Sequence, residues 1–104
     1  MPLPRFRNMD VIPIEEEGKP VFIIRDNEGL FDHTLRLPPM AFVVASLLDG
    51  VREIKGIQDA IAAQFEGTVV PEEELKTIVT DLDKNLLLES KRVSDKRNEI
   101  IEEF

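Results

Sequence analysis

Cysteine is absent from these 104 residues, so neither a disulfide framework nor a thiolate metal site can be built. Tryptophan and tyrosine are absent too, which leaves six phenylalanines as the whole aromatic complement. Histidine occurs once, at His33, and there is no zinc-binding pair, no glycine-rich phosphate loop and no nucleophile elbow. Positive charge is scarce. Lys and Arg number 13 against 21 Asp and Glu, a formal net charge of −8, and the molecule as a whole repels phosphate backbones. Long apolar runs are also missing, since the most apolar stretch is far shorter than the roughly 20 residues that a bilayer span needs. The opening MPLPRFRNMD has two Arg but no apolar region after them, and does not read as a secretory signal. These absences set the expectation of a soluble, cytoplasmic chain with no membrane partner and no cofactor. They also disfavour an enzyme acting alone.

What is present supports one folded domain. The chain is 42% hydrophobic and 33% charged, enough apolar content for a core and too much for disorder. Its length is near the commonest domain size. The organising stretch is residues 37–50, LPPMAFVVASLLDG, apolar on almost every face from Pro39 to Leu48. A helix of that kind must be covered all round, so it is expected at the centre of the fold.

Taken in order, residues 1–8 read as an irregular arm with Pro2 and Pro4. Residues 9–15 alternate around Val11, Ile12 and Ile14 and read as a strand, which Pro13 confines to a sheet edge. Residues 16–19 form a turn into a second strand at 21–25, β-branched and aromatic, completing a hairpin. Asp26, Asn27, Glu28 and Gly29 are strong turn chemistry, and Leu35, Arg36 and Leu37 can form a brief third strand. Pro38 and Pro39 pre-set the first turn of the central helix, about 39–48, which Gly50 closes in a left-handed conformation. A second helix, about 53–66, carries Ile54, Ile57, Ile61 and Phe65 on one face, with Gly67 closing it. A third, from Pro71 to about Asn85, buries Leu75, Ile78, Val79, Leu82 and Leu86, with Asn85 as its left-handed stop. Residues 86–90 are either a last turn or a short strand. From Lys91 the chain becomes a charged helical connector in which only Val93, Ile100, Ile101 and Phe104 offer anything to bury.

The chemistry-bearing residues are few. His33 lies in a turn-rich loop near Asp26, Glu28 and Asp32; a structural or solvent-exposed role outweighs a catalytic one, because acid–base work needs converging partners. The three acids lack the alternating oxygen ligands and terminal Glu of a calcium loop. The second and third helices have the layout of a helix-turn-helix. The third, however, carries Glu72, Glu73, Glu74, Asp81 and Asp83 against Lys76 and Lys84, which opposes entry into a DNA groove. The basic residues Lys91, Arg92, Lys96 and Arg97 cluster instead in the tail.

The run LPPMAFVVASLLDG, then EIKGIQDAIAAQF, then an acidic helix closing on LDKNLLLES resembles PqqD-like winged-helix domains, the peptide-recognition domains that accompany radical-SAM and other maturases. Over nearly the whole chain, PRFRNMDVIPI, IIRDNEGL, LRLPP, LLDG and SDKRNEIIEEF look like the N-terminal domain of some AmmeMemoRadiSam system protein B sequences, in which a Memo-like domain follows. Glu53 and Val70 depart from expectation, standing where better helix caps belong. The resemblance implies an α+β winged-helix fold over 9–90, with 91–104 as a charged connector or tail. It also implies a non-enzymatic module that takes a peptide or protein partner by strand addition. The partner would pair with Leu35, Arg36 and Leu37 and face Lys76, Thr80 and Asp83 of the third helix. Two other readings stand beside it: a winged-helix DNA-binding domain using the basic tail, and a structural docking or oligomerisation domain of a larger enzyme.

Overall fold

A computed structural model describes residues 2–31 and 33–102, with side chains as far as residue 99. The expectations for Asp32, for Phe104 and for the side chains of Ile100 and Ile101 lie outside the described residues. Three strands precede four helices among the described residues: β1 (Asp10–Glu16), β2 (Lys19–Arg25), β3 (Leu35–Leu37), α1 (Pro39–Leu47), α2 (Ile54–Gln64), α3 (Glu72–Lys84) and α4 (Lys91–Glu102). The class is α+β. The sheet is antiparallel in the order β1-β2-β3, so β1 and β3 are its edges, as Pro13 requires of β1.

The hairpin turns through Glu17 and Gly18, whose φ angles of 52° and 78° are both positive. That is the two-residue type I′ connection, whose twist matches that of the strands it joins. It fixes the register Glu16↔Lys19 through Asp10↔Arg25. Phe22, Ile24, Leu35 and Leu37 therefore share one face of the sheet and pack into the core.

Above that face lies α1, which packs against α2, α3, β2 and β3. Val44, Ala45 and Leu48 are buried, and the Phe42 ring stacks on Phe22 at 4.1 Å between centroids. The complete covering expected of α1 is not seen. Met40, Phe42, Val43 and Leu47 are half-buried and Ser46 is exposed, because a sheet whose third strand has three residues is too narrow to wrap the helix. Helix α2 buries Ile57 and Ile61, each worth about 1.5–3 kcal/mol of transfer free energy. Phe65, expected on the same stripe, is 44% exposed: it caps α2 at φ −121°, ψ 76°, and non-helical geometry turns it off the core face.

The end of α3 also differs from expectation. Asn85 has φ −91°, and it is Leu86 that takes the left-handed conformation at φ 64°. Leu86 N–H donates to the Asp83 carbonyl, and Leu87 N–H donates to the Leu82 carbonyl. This is a Schellman closure, in which two orphan carbonyls are satisfied and Leu87 packs beside Leu82. Burying Leu87 offsets the roughly 1–2 kcal/mol of strain at Leu86.

Residues 2–8 form no strand or helix apart from a bridge at Phe6, and they are packed. Leu3 N–H donates to Arg52 O, Phe6 N–H to Leu48 O and Arg7 N–H to Leu87 O, while Glu89 N–H donates to Arg5 O. The apolar run after α3 contributes a single bridge, Phe6↔Leu88. Val93 is fully buried, so the first turns of α4 are anchored to the domain. No helix among the described residues is long and apolar enough to cross a membrane.

Candidate functional site

Leu37 ends β3 and Pro39 starts α1 only two residues later, so the sheet edge and the helix start lie side by side. Helix α3 packs across α1 and brings its C-terminal half to the same place. The result is a groove of about 280 Å³, lined by Arg36, Leu37 and Pro38 from the strand end, Ala41 from α1, and Ile78, Asp81, Leu82 and Asn85 from α3. One wall is the edge of β3 away from β2, where no further strand pairs among the described residues. The floor is aliphatic and the polar groups sit at the rim. Arg36 is exposed and pairs with Glu16 at 2.9 Å across the sheet. The Asn85 amide donates to the Asp81 carbonyl at 2.8 Å and so belongs to the helix end. The carboxylate of Asp81 and the negative end of the α3 dipole make that rim hospitable to a cation.

Of the six residues expected to bind a partner, the groove is lined by Arg36 and Leu37. Leu35 is half-buried opposite Ile24 and packs against the core. The other three lie elsewhere on α3. At about 100° per residue, Ile78, Asp81, Leu82 and Asn85 share one helix face, while Lys76, Thr80 and Asp83 point about half a turn away. Lys76 pairs with Glu72 at 3.1 Å, Thr80 is exposed, and Asp83 accepts from the Ser90 hydroxyl and lies 3.6 Å from Arg92. The spacing i, i+3, i+4, i+7 from Ile78 is the sequence signal that points to the groove, with two polar residues interrupting an apolar stripe.

A second constellation went unread in the sequence. Arg7 is 2% exposed, and its guanidinium donates to Asp26 Oδ1 at 2.8 Å and to the Leu86 carbonyl. The Asp26 side chain is itself fully buried and accepts the backbone N–H groups of Glu28, Leu30 and Phe31, so one carboxylate shapes the whole turn after β2. Glu28 lies 3.2 Å from Arg7 and accepts two hydrogen bonds from Arg97 of α4, which also grips Glu89. The Arg97 hydrogen bonds, with Arg7 behind them, hold the Glu28 carboxyl down to about 2. Arg97 likewise lowers Glu89, and the two carboxylates raise Arg97 in return. This network joins the N-terminal segment, the β2–β3 connection, the chain after α3, and α4. Every acceptor in it is engaged, which makes it a clamp and leaves no reactive group.

His33 is exposed, with its ring 5.3 Å from that of Phe31, and lines a separate cavity of about 300 Å³ with Arg25, Asp26 and Thr34. No group of three or more His, Asp or Glu able to hold a metal ion occurs among the described residues.

No protein-family model matches the chain, and no solved structure matches it. The chain is similar to a MEMO1 family protein of Aquifex aeolicus (strain VF5), 31% identical over 99 residues, covering 92% of this chain and 24% of that protein. It thus spans about a quarter of the length of the curated relative it matches.

Proposed function

We propose that this chain is a non-catalytic binding module of winged-helix type that captures an extended peptide or protein segment for a larger, Memo-like system. The observation that carries the reading is the groove itself: an open strand edge standing beside an aliphatic helix face. An incoming strand gains main-chain hydrogen bonds from β3, and its alternate side chains drop onto Leu37, Ala41, Ile78 and Leu82. The rim suits a segment with a Lys or Arg toward Asp81, and a molecule of net charge −8 steers such a partner in. The Arg36–Glu16 pair is exposed and worth at most about 1 kcal/mol, so Arg36 can turn to a partner acid at little loss. The order of three strands before three packed helices supports the winged-helix assignment. The Aquifex aeolicus relative supports the Memo-like setting, and a radical-SAM link is carried over from the PqqD-like resemblance.

The test is selection of short random peptides on the immobilised chain, with counter-selection on Ile78→Glu. Ile78 is half-buried on the groove face, and a thermal melt checks that the variant, which places a charge in the groove, keeps its fold. The expected outcome is enrichment of apolar, strand-forming peptides with a basic residue, lost on the variant. Peptides that bind both proteins equally would remove the groove from consideration.

A further inference from the structure

The sheet has a second apolar face. Val21, Phe22, Ile23 and Ile24 form an unbroken apolar run, the pattern of a strand covered on both sides. Phe22 and Ile24 face the helices, so Ile23 and Val21 face outward, opposite Ile12 and Ile14 of β1. Ile12 is 43% and Ile14 36% exposed, and none of the four joins the core cluster. Charged pairs bound the patch: Asp10 with Arg25 at 3.9 Å at one end, and Arg36, which stands opposite Ile23 on this face, with Glu16 at 2.9 Å toward the other. A concavity of about 530 Å³ beside Val21 is lined by Glu16, Glu17, Lys19 and Arg36. Cross-strand aliphatic pairs over water are not what a hairpin exposes by default; a solvated face alternates to polar.

We propose that this outer face seats a tethered neighbouring domain, of the kind that makes up the part of the Memo-like relative this chain does not match; the identity of the occupant rests on the Memo-like setting proposed above, whereas the face itself meets the groove only at Arg36. Area and charge choose between occupants. Two strands of seven residues and one of three present a face of about 280 Å², so two copies face to face would bury about 550 Å² in total. A stable dimer needs about 1,200–2,000 Å². Two copies would also bring −8 each to the contact. Domains on one chain settle with about 600–1,500 Å² between them, because a tether supplies millimolar effective concentration. The rim of the face sets Arg25, Lys19 and Arg36 against Asp10, Glu16 and Glu17, a neutral border on an acidic molecule that calls for a partner surface of low charge.

The absence of native cysteine makes the test clean. Ile23→Cys is introduced into the chain alone and into a chimera in which the chain replaces the matching quarter of the Aquifex aeolicus protein. Alkylation by a small maleimide is followed at that peptide by mass spectrometry, with Val69→Cys, at a site 80% exposed, as reference. Cys at 23 is expected to react about tenfold more slowly in the chimera, as for a face open a tenth of the time, with the reference unchanged. Equal rates at position 23 overturn the proposal. So does protection in the isolated chain that grows with concentration together with a doubled mass, which assigns the face to a second copy. As a measurement independent of the chimera's folding, the unmatched part of the relative is added in trans at about millimolar concentration. It is expected to shift the methyl signals of Ile12, Ile14 and Ile23 and to spare Ile78; no shift at those three methyls also refutes the proposal. Either result leaves the peptide selection on the groove unaffected.

Discussion

Replacing Arg7 by Met removes the cation from a carboxylate that is fully buried. Breaking a buried pair by deleting one partner costs about 3–5 kcal/mol, because the remaining charge is left uncompensated. Two features of the site place the loss at the lower end of that range. Asp26 still accepts three backbone N–H groups from its own turn, which spreads its charge. The variant also discards Arg7 Nε, a buried donor with no partner among the described residues. Against these, the Leu86 carbonyl loses its guanidinium donor. We expect a loss of about 3 kcal/mol, a large share of the roughly 5–15 kcal/mol available to a domain of this size. Adding Asp26→Asn keeps an acceptor for the turn amides and removes the orphan charge, so the double variant should recover about half of the loss. Urea denaturation followed by far-ultraviolet circular dichroism measures both. A single variant that loses less than about 1 kcal/mol, or a double variant no better than the single, would refute the claim that a buried charge pair clamps the N-terminal segment.

Three further outcomes follow from the same geometry. The folded-state pKa of Glu28, about 2, lies below its ordinary value of 4.5, so its ionised form favours folding above pH 4.5 and that contribution is lost as pH falls toward 2. Glu28 is 40% exposed, which limits the effect to about 1 kcal/mol after screening; Arg97→Met should flatten this part of the stability–pH curve, and an unchanged curve would remove the Arg97 clamp. Gly56 lies inside α2, where an added Cβ would meet Arg52 side-chain carbons no closer than 3.7 Å, so Gly56→Ala should stabilise the chain by up to about 1 kcal/mol in thermal melts. Phe42→Asp sets a charge against the Phe22 ring in the half-covered heart of the fold and should abolish the cooperative melt; a variant that stays folded contradicts the central place of α1.

The elements that were legible in the sequence are those with local causes. Proline at 13 and 39, the positive-φ glycines at 18, 29, 50 and 67, and the β-branched run from Val21 to Ile24 each determine backbone within a few residues of themselves. Helix ends were less legible. A Schellman closure depends on what residue 87 can bury, and that let Leu86 rather than Asn85 take the strained conformation. The groove was half legible: β3 was readable, but choosing the partner face of α3 needed the direction from which α1 packs, and the expected residues fell about half a turn away. The Arg7 network was illegible for a different reason. Its partners lie 19 and 79 residues along the chain, and nothing local distinguishes an arginine that will be buried from one that will be solvated.

The central claim is that the edge of β3 and the Ile78–Asn85 face of α3 together form a binding groove. Titrating a selected peptide into the isotope-labelled chain and mapping backbone amide shifts tests it most directly. The account predicts shifts concentrated on Leu35, Arg36, Leu37, Ala41, Ile78, Asp81, Leu82 and Asn85, with affinity lost in Ile78→Glu. Shifts gathered instead on Lys76, Thr80 and Asp83, or on Ile12 and Ile23 of the outer sheet face, would contradict it.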